Sequence, residues 1–301
     1  MEVVLWKRAV AEFAGLFLMC SIGLMTVATA ITTASYGLFE LSMAFAFVIM
    51  LIILVVAVVS GGHINPAITI ALALYGKFPW REVPVYIVAQ ISGGIVGSLA
   101  LYGLYRGPIV AFEQANGIVR GEPGSELTAM IFACFAPNPA IAGANEWAAD
   151  IISTPTAILA EAFGTAVLAL AVFAMIEQRN AFAPSLRSFA ITIGLVVGFI
   201  IMVLAPLTMS GINPARDLGP RIATYILGWG EVSFPGVGAP WWVWTVGPIL
   251  GAAVGGAAYV YGLGGFLQRP EAPLSAGVEA DELAIPTPGG NPPSEKTAGS
   301  R

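Results

Sequence analysis

Charge is scarce in this chain. Asp, Glu, Lys and Arg make up 10% of its 301 residues, against 57% hydrophobic ones. Soluble domains carry about 25% charged residues, so a soluble globular fold is excluded and an integral membrane protein is implied. Histidine occurs once and cysteine twice. A lone His63 rules out a histidine-based metal centre, and Cys20 and Cys134 form neither a disulfide framework nor metal-ligand spacing. No metal or cofactor is expected. The net charge is −5 and no basic cluster is present, which argues against a nucleic-acid partner. Ser/His/Asp and Cys/His groupings are also missing, so an enzyme is the weakest class.

Long apolar runs are abundant. Those of spanning length lie at about 9–31, 38–60, 84–104, 156–176, 188–209 and 241–262, which predicts six transmembrane helices. The first contains Glu12 and lacks a cleavage signal, so it is read as a retained helix. Lys7, Arg8, Lys77, Arg81, Arg179, Arg187 and Arg269 all fall on one side of six spans. The other side carries Arg106 and Arg120 among Glu113, Glu122, Glu126, Glu146 and Asp150. By the positive-inside rule both termini are cytoplasmic, in a multi-pass plasma (inner) membrane protein. The long connection at about 105–155 is then an extracellular loop with room for a vestibule. Residues 268–301 are rich in Pro, Gly, Ser and acidic residues and read as a disordered cytoplasmic tail.

Two stretches repeat each other: Gly61-Gly62-His63-Ile64-Asn65-Pro66-Ala67 and Ser210-Gly211-Ile212-Asn213-Pro214-Ala215-Arg216. Asn favours the helix N-cap and Pro the first helical position, so each stretch starts a helix. The helix that follows, of roughly ten residues or ~15 Å, covers only half of a ~30 Å bilayer core. Ala11-Glu12-Phe13-Ala14-Gly15 likewise parallels Ala160-Glu161-Ala162-Phe163-Gly164, and Glu precedes the Asn by 53 positions in one half and 52 in the other. Three spans per half is an odd number, so the second half inserts upside down. The expected fold is an all-α membrane protein of six transmembrane helices plus two half-helices in an inverted repeat, the halves covering about 7–105 and 156–265 of a channel domain spanning 1–267. The segments before the half-helices are non-helical at membrane depth. Such backbone is tolerated where it is packed in protein or lines a wet cavity, so a pore is expected.

At these residues the chain resembles the major intrinsic protein family, the aquaporins and glycerol facilitators. Asn213-Pro-Ala-Arg-Asp-Leu-Gly-Pro-Arg221 is similar to the glycerol-facilitator branch, as are Phe112-Glu113-Gln114 and Ile118-Val119-Arg120-Gly121 in the outer loop. The resemblance implies a passive channel for glycerol and other small neutral solutes together with water, assembled as a homotetramer in the lipid bilayer. A mainly water-conducting channel is its close rival. An ion-coupled secondary transporter would need a coupling site that the spans, nearly free of acids beyond Glu12, Glu161 and Glu40, do not offer.

Residue roles follow from chemistry and from the resemblance. At the pore centre, formed by Asn65, Pro66, Ala67, Asn213, Pro214 and Ala215, each Asn oxygen can cap its half-helix while its NH2 donates into the lumen. Carbonyls of Gly62, His63, Ile64, Gly211 and Ile212 would form an acceptor ladder. The resemblance places Arg216 at an outer selectivity filter with Phe45, Ile201 and Ser210. That ring follows neither standard pattern: water channels usually carry His where Ile201 stands, and glycerol facilitators an aromatic where Ser210 stands. Trp244 likewise occupies a position where the glycerol branch usually has Pro. Individually, Phe45 and Ile201 could equally be packing residues. Glu12 and Glu161 are expected to hold the backbone N–H groups of the non-helical segments rather than to relay protons. Asp217 and Arg221, four apart on one helix face, are expected to pair and to support the outer loop. His63 either lines the inner pore or packs beside it.

Overall fold

Six helices are long and apolar enough to cross a membrane in the structure, a computed structural model that describes residues 3–180, 186–236 and 239–267, with backbone only at 186 and 187. The expected tail at 268–301, with Arg269, lies outside the described residues, as does the side chain of Arg187. The described residues belong to one compact unit, Met1–Leu267.

The spans are α1 (Leu5–Thr33), α2 (Leu38–Ser60), α4 (Val83–Ala115), α6 (Thr154–Ile176), α7 (Leu186–Thr208) and α9 (Val243–Ala257, continued as tighter and wider turns to Phe266). Between them lie the half-helices α3 (Pro66–Leu74) and α8 (Pro214–Thr224), and a short helix α5 (Pro139–Ala144). Mid-way along α1, at Met19–Gly23, the helix widens into a π turn, beside which the Ser21 hydroxyl donates to the Phe17 carbonyl at 2.6 Å. Such turns concentrate at functional places, and Met19 lines the lumen described below.

The two halves pack alike. α1 lies on α4 as α6 lies on α9, α2 crosses to α7, and the half-helices exchange partners, α3 packing chiefly on α9 and α8 on α4. Close approach depends on glycine pairs one turn apart in equivalent helices. A Cβ on Gly93 or Gly97 would meet the Phe13 and Phe17 carbonyls of α1, and one on Gly251 or Gly255 would meet the Ala162 and Ala166 carbonyls of α6. Small residues at membrane helix contacts let backbones approach and gain dispersion contact, since lipid supplies no hydrophobic drive between helices.

One boundary differs from the sequence reading. α4 continues through Ala115, about eleven residues past its apolar run, so the first part of the expected loop is helical. The extension is anchored at its end. Glu113 accepts two hydrogen bonds from Arg120 (2.9 and 3.0 Å) and one from Thr128 (3.0 Å), while the Arg120 guanidinium lies 4.1 Å over the Trp229 ring. Beyond it the loop turns inward, and Met130–Phe135 is buried throughout.

Candidate channel site

Both half-helices begin where the sequence placed them. Asn65 is extended (φ −160°, ψ 118°) and its Oδ1 accepts from Ala67 N at 2.9 Å. Asn213 is extended too (φ −152°, ψ 108°), its Oδ1 accepting from Ala215 N at 3.1 Å and Arg216 N at 3.2 Å. Each Asn therefore caps its own half-helix. Its amide also reaches across: Asn65 Nδ2 donates to the Ile212 carbonyl at 2.8 Å, and Asn213 Nδ2 to the Ile64 carbonyl at 2.7 Å. Each amide thus commits one hydrogen to the opposite half; the second of Asn65 is left for the lumen, while that of Asn213 meets Met19 Sδ at 3.8 Å.

Ile64 and Ile212 carry the strain of this arrangement. Their φ values are 42° and 41°, a region in which a β-branched residue is an outlier and which costs about 1–3 kcal/mol at each site. Both are held at both ends. Glu12 Oε2 accepts from Ile64 N at 2.6 Å, and Glu161 Oε2 from Ile212 N at 2.6 Å. Glu12 Oε1 also takes His63 N (3.0 Å) and Ser60 Oγ (2.6 Å), and Glu161 Oε1 takes Gly211 N (2.9 Å). Each carboxylate thus binds backbone N–H groups that no secondary structure satisfies.

A cavity of ≈ 300 Å³ runs through the centre of the unit. Asn65, Asn213, Gly62, His63, Ile64, Gly211 and Ile212 all line it, and so do Phe45, Ile201, Ser210 and Arg216. Pro66, Ala67, Pro214 and Ala215 are buried behind the two Asn caps. Facing the polar segments is an apolar wall that includes Ile49, Ile53, Leu168, Val172 and Val197. His63 lines the lumen and also packs, its ring centroid 4.7 Å from Phe78 and 5.0 Å from Tyr86. The carbonyls of Ile64 and Ile212 each accept one cross-bond and keep a second lone pair.

At the end of the cavity beside the long loop Arg216 is 6% exposed and donates through Nη1 to the Phe132 carbonyl at 2.9 Å. The inward-folded loop thereby fixes one edge of the guanidinium. The Ser210 hydroxyl donates to the Ile200 carbonyl at 3.2 Å, which commits its hydrogen and leaves its oxygen as an acceptor. Asp217 and Arg221 do pair, at 2.5 Å, and deep in the protein rather than at a solvated surface: they are 2% and 0% exposed. Asp217 Oδ1 also accepts from Cys134 N (2.8 Å), and Arg221 donates to the carbonyls of Ser233 (2.7 Å) and Cys134. The pair clamps the loop that holds Arg216. Burial raises the pKa of the Cys134 thiol, keeping it protonated and inert.

Trp244 backs this region. Its indole N–H donates to the Thr208 carbonyl at 2.9 Å, its ring lies 4.7 Å below the Arg221 guanidinium, and it fills the space beside Gly211. Sequence reasoning noted Trp244 only as a departure from expectation, and it missed several other contributors. Gln90 of α4 donates to Glu12 Oε2 (2.7 Å) and Thr69 (3.1 Å). Asn138 lines the lumen and caps α5 in an Asn138-Pro139-Ala140 sequence, a third copy of the signal that was open to inspection. Phe132 acts through its carbonyl, which no residue type announces.

Fold and site together define a membrane channel with two half-helices meeting at a shared centre. The sequence model of the Major intrinsic protein family matches residues 1–259, and the chain belongs to that family. As such it is a passive channel and not an enzyme. It is 35% identical over 257 residues to Aquaporin-9 of Homo sapiens, covering 84% of this chain and 81% of that one. Against the Glycerol uptake facilitator protein of Pseudomonas aeruginosa it is 35% identical over 275 residues, covering 90% and 94%. Among solved structures it resembles the aquaglyceroporin from Plasmodium falciparum, with a TM-score of 0.71 and 26% identity over 85% of this chain and 96% of that one.

Proposed function

We propose that this protein conducts glycerol and other small neutral solutes together with water, and excludes protons and ions. The observation that carries the reading is the two-faced lumen at Arg216. Phe45 and Ile201 offer apolar surface, while Arg216 offers a donor and Ser210 an acceptor on the same cavity. A solute with carbon on one side and hydroxyls on the other fits such a wall, as few well-placed polar groups in an apolar site orient small ligands. The names of the relatives support it, including a Propanediol uptake facilitator of Salmonella typhimurium, 36% identical over 258 residues.

In this reading Phe45, Ile201, Ser210 and Arg216 form the filter, and Asn65 and Asn213 hand the solute across the centre. The N-termini of α3 and α8 place about half a positive charge each at that point, which repels cations and protons. Glu12, Glu161, Asp217 and Arg221 hold the backbone in shape and do not touch solute. The chain sits in the plasma (inner) membrane as a homotetramer, with both termini cytoplasmic, since Lys7, Arg8, Lys77, Arg81 and Arg179 share one side.

Swelling of reconstituted vesicles tests this. Vesicles placed in a glycerol gradient should shrink and then reswell as glycerol enters, and absence of reswelling with intact water flux would make this a water channel instead. Ile201→Gly and Ser210→Phe should each change the water-to-glycerol ratio. If neither does, the filter lies elsewhere.

A further inference from the structure

The two non-helical segments correspond residue by residue: Gly61 with Met209, Gly62 with Ser210, His63 with Gly211 and Ile64 with Ile212. Their backbones agree. φ is 89°, 66° and 42° at positions 61, 62 and 64, and 60°, 52° and 41° at positions 209, 210 and 212. At the first two positions the inner segment uses glycine, which enters this region without steric cost. The outer segment puts Met and Ser there, where side chains are strained. Strain of this kind persists where surrounding structure enforces it and gathers at functional sites. For Ser210 the reason is the filter. Met209 needs a reason of its own.

Its surroundings supply one. Met209 is 8% exposed and lines the same cavity as Phe45, Ile201, Ser210 and Arg216. Its Sδ accepts a hydrogen bond from Phe135 N at 3.2 Å, in the same buried loop whose Phe132 carbonyl holds Arg216. The side chain is thus pinned from the loop while its backbone is bent from the segment. We propose that Met209 is a specificity-determining residue, an outer collar whose thioether limits the length and girth of the solute that reaches Arg216. The proposal rests on the solute reading above and deepens it. An unbranched, polarisable side chain suits such a collar, because it presents apolar surface to a carbon backbone and asks no hydrogen bond of the solute. Glycine, the inner segment's choice, would leave that space open.

Wild type, Met209→Gly and Met209→Leu can be compared in reconstituted vesicles by swelling in glycerol and in linear four- and five-carbon polyols. Met209→Gly supplies the residue that the inner segment already uses at this φ, so it should fold, and thermal unfolding in detergent checks that. It should raise the five-carbon to glycerol flux ratio by at least ~10-fold, the low end of what a single methylene's worth of room changes in an apolar site, since four heavy atoms are removed. Met209→Leu keeps the bulk and should keep the wild-type ratio. An unchanged ratio in Met209→Gly overturns the inference and leaves glycerol conduction standing. Loss of flux for every solute, or equal widening by Met209→Leu, also overturns it, since the role would then be support rather than size selection. A wild type that fails to pass glycerol removes the underlying reading instead.

Discussion

Replacing Asp217 by Asn leaves the Arg221 guanidinium charged, fully buried and without its counter-ion. The two groups sit 2.5 Å apart with 2% and 0% exposure, so little solvent screening is available. Breaking a buried pair by neutralising one member costs about 3–5 kcal/mol, whereas an exposed pair is worth ~0–1 kcal/mol. Asn still offers an oxygen to Cys134 N, so the loss isolates the charge rather than the hydrogen bond. Arg221→Met should cost a similar amount by stranding the carboxylate. The double variant removes both charges and should cost clearly less than the sum, with a coupling of at least ~2 kcal/mol. The assay is denaturant-induced unfolding in detergent micelles, followed by tryptophan fluorescence, since Trp244 stacks on Arg221. In vesicles the single variants should also blur selectivity, because the same pair clamps the loop that positions Arg216. Single costs below ~1 kcal/mol, or an additive double variant, would refute the reasoning.

The helix contacts and the ion pair beyond the end of α6 offer two more tests. Gly251→Val forces a side chain against the Ala162 carbonyl and should destabilise by about 1–3 kcal/mol or abolish folding, and Gly93→Val should do the same against Phe13; wild-type thermal unfolding of either would contradict the packing. Glu177, beyond the end of α6, accepts from Arg179 N, Nε and Nη2, while Arg179 also donates to the Gly264 and Leu267 carbonyls. Those hydrogen bonds lower the Glu177 pKa from its ordinary 4.5 to about 2. A lowered carboxylate stabilises above its unfolded pKa and loses that contribution as pH falls through the folded one. The stability gap between wild type and Glu177→Gln should therefore persist at about pH 4 and close only toward about pH 2; closure near 4.5 would sink the assignment.

Much of the plan was legible because it depends on side chains with one physical use. Asn followed by Pro at the end of a long apolar run starts a helix, and a carboxylate inside such a run must find donors. What escaped was carried by backbone and by distance. The Phe132 carbonyl that fixes Arg216 could belong to any residue. Gln90 sits among ordinary helix residues, 78 positions from the Glu12 it bonds. The end of α4 was misplaced because hydropathy reports where lipid stops, and a helix held by Arg120 and Thr128 need not stop there. The burial of Asp217 and Arg221 likewise came from a loop folding back over them, which local spacing does not record.

The crossed amide bonds between Asn65 and Ile212, and between Asn213 and Ile64, make neither half self-sufficient. A lone half would leave a strained isoleucine with its carbonyl bare and an amide without a target, so it could complete its centre only by meeting another half head to head. The bonds make the centre a joint product of both halves, formed even though Gly61-Gly62 on one side answers to Met209-Ser210 on the other.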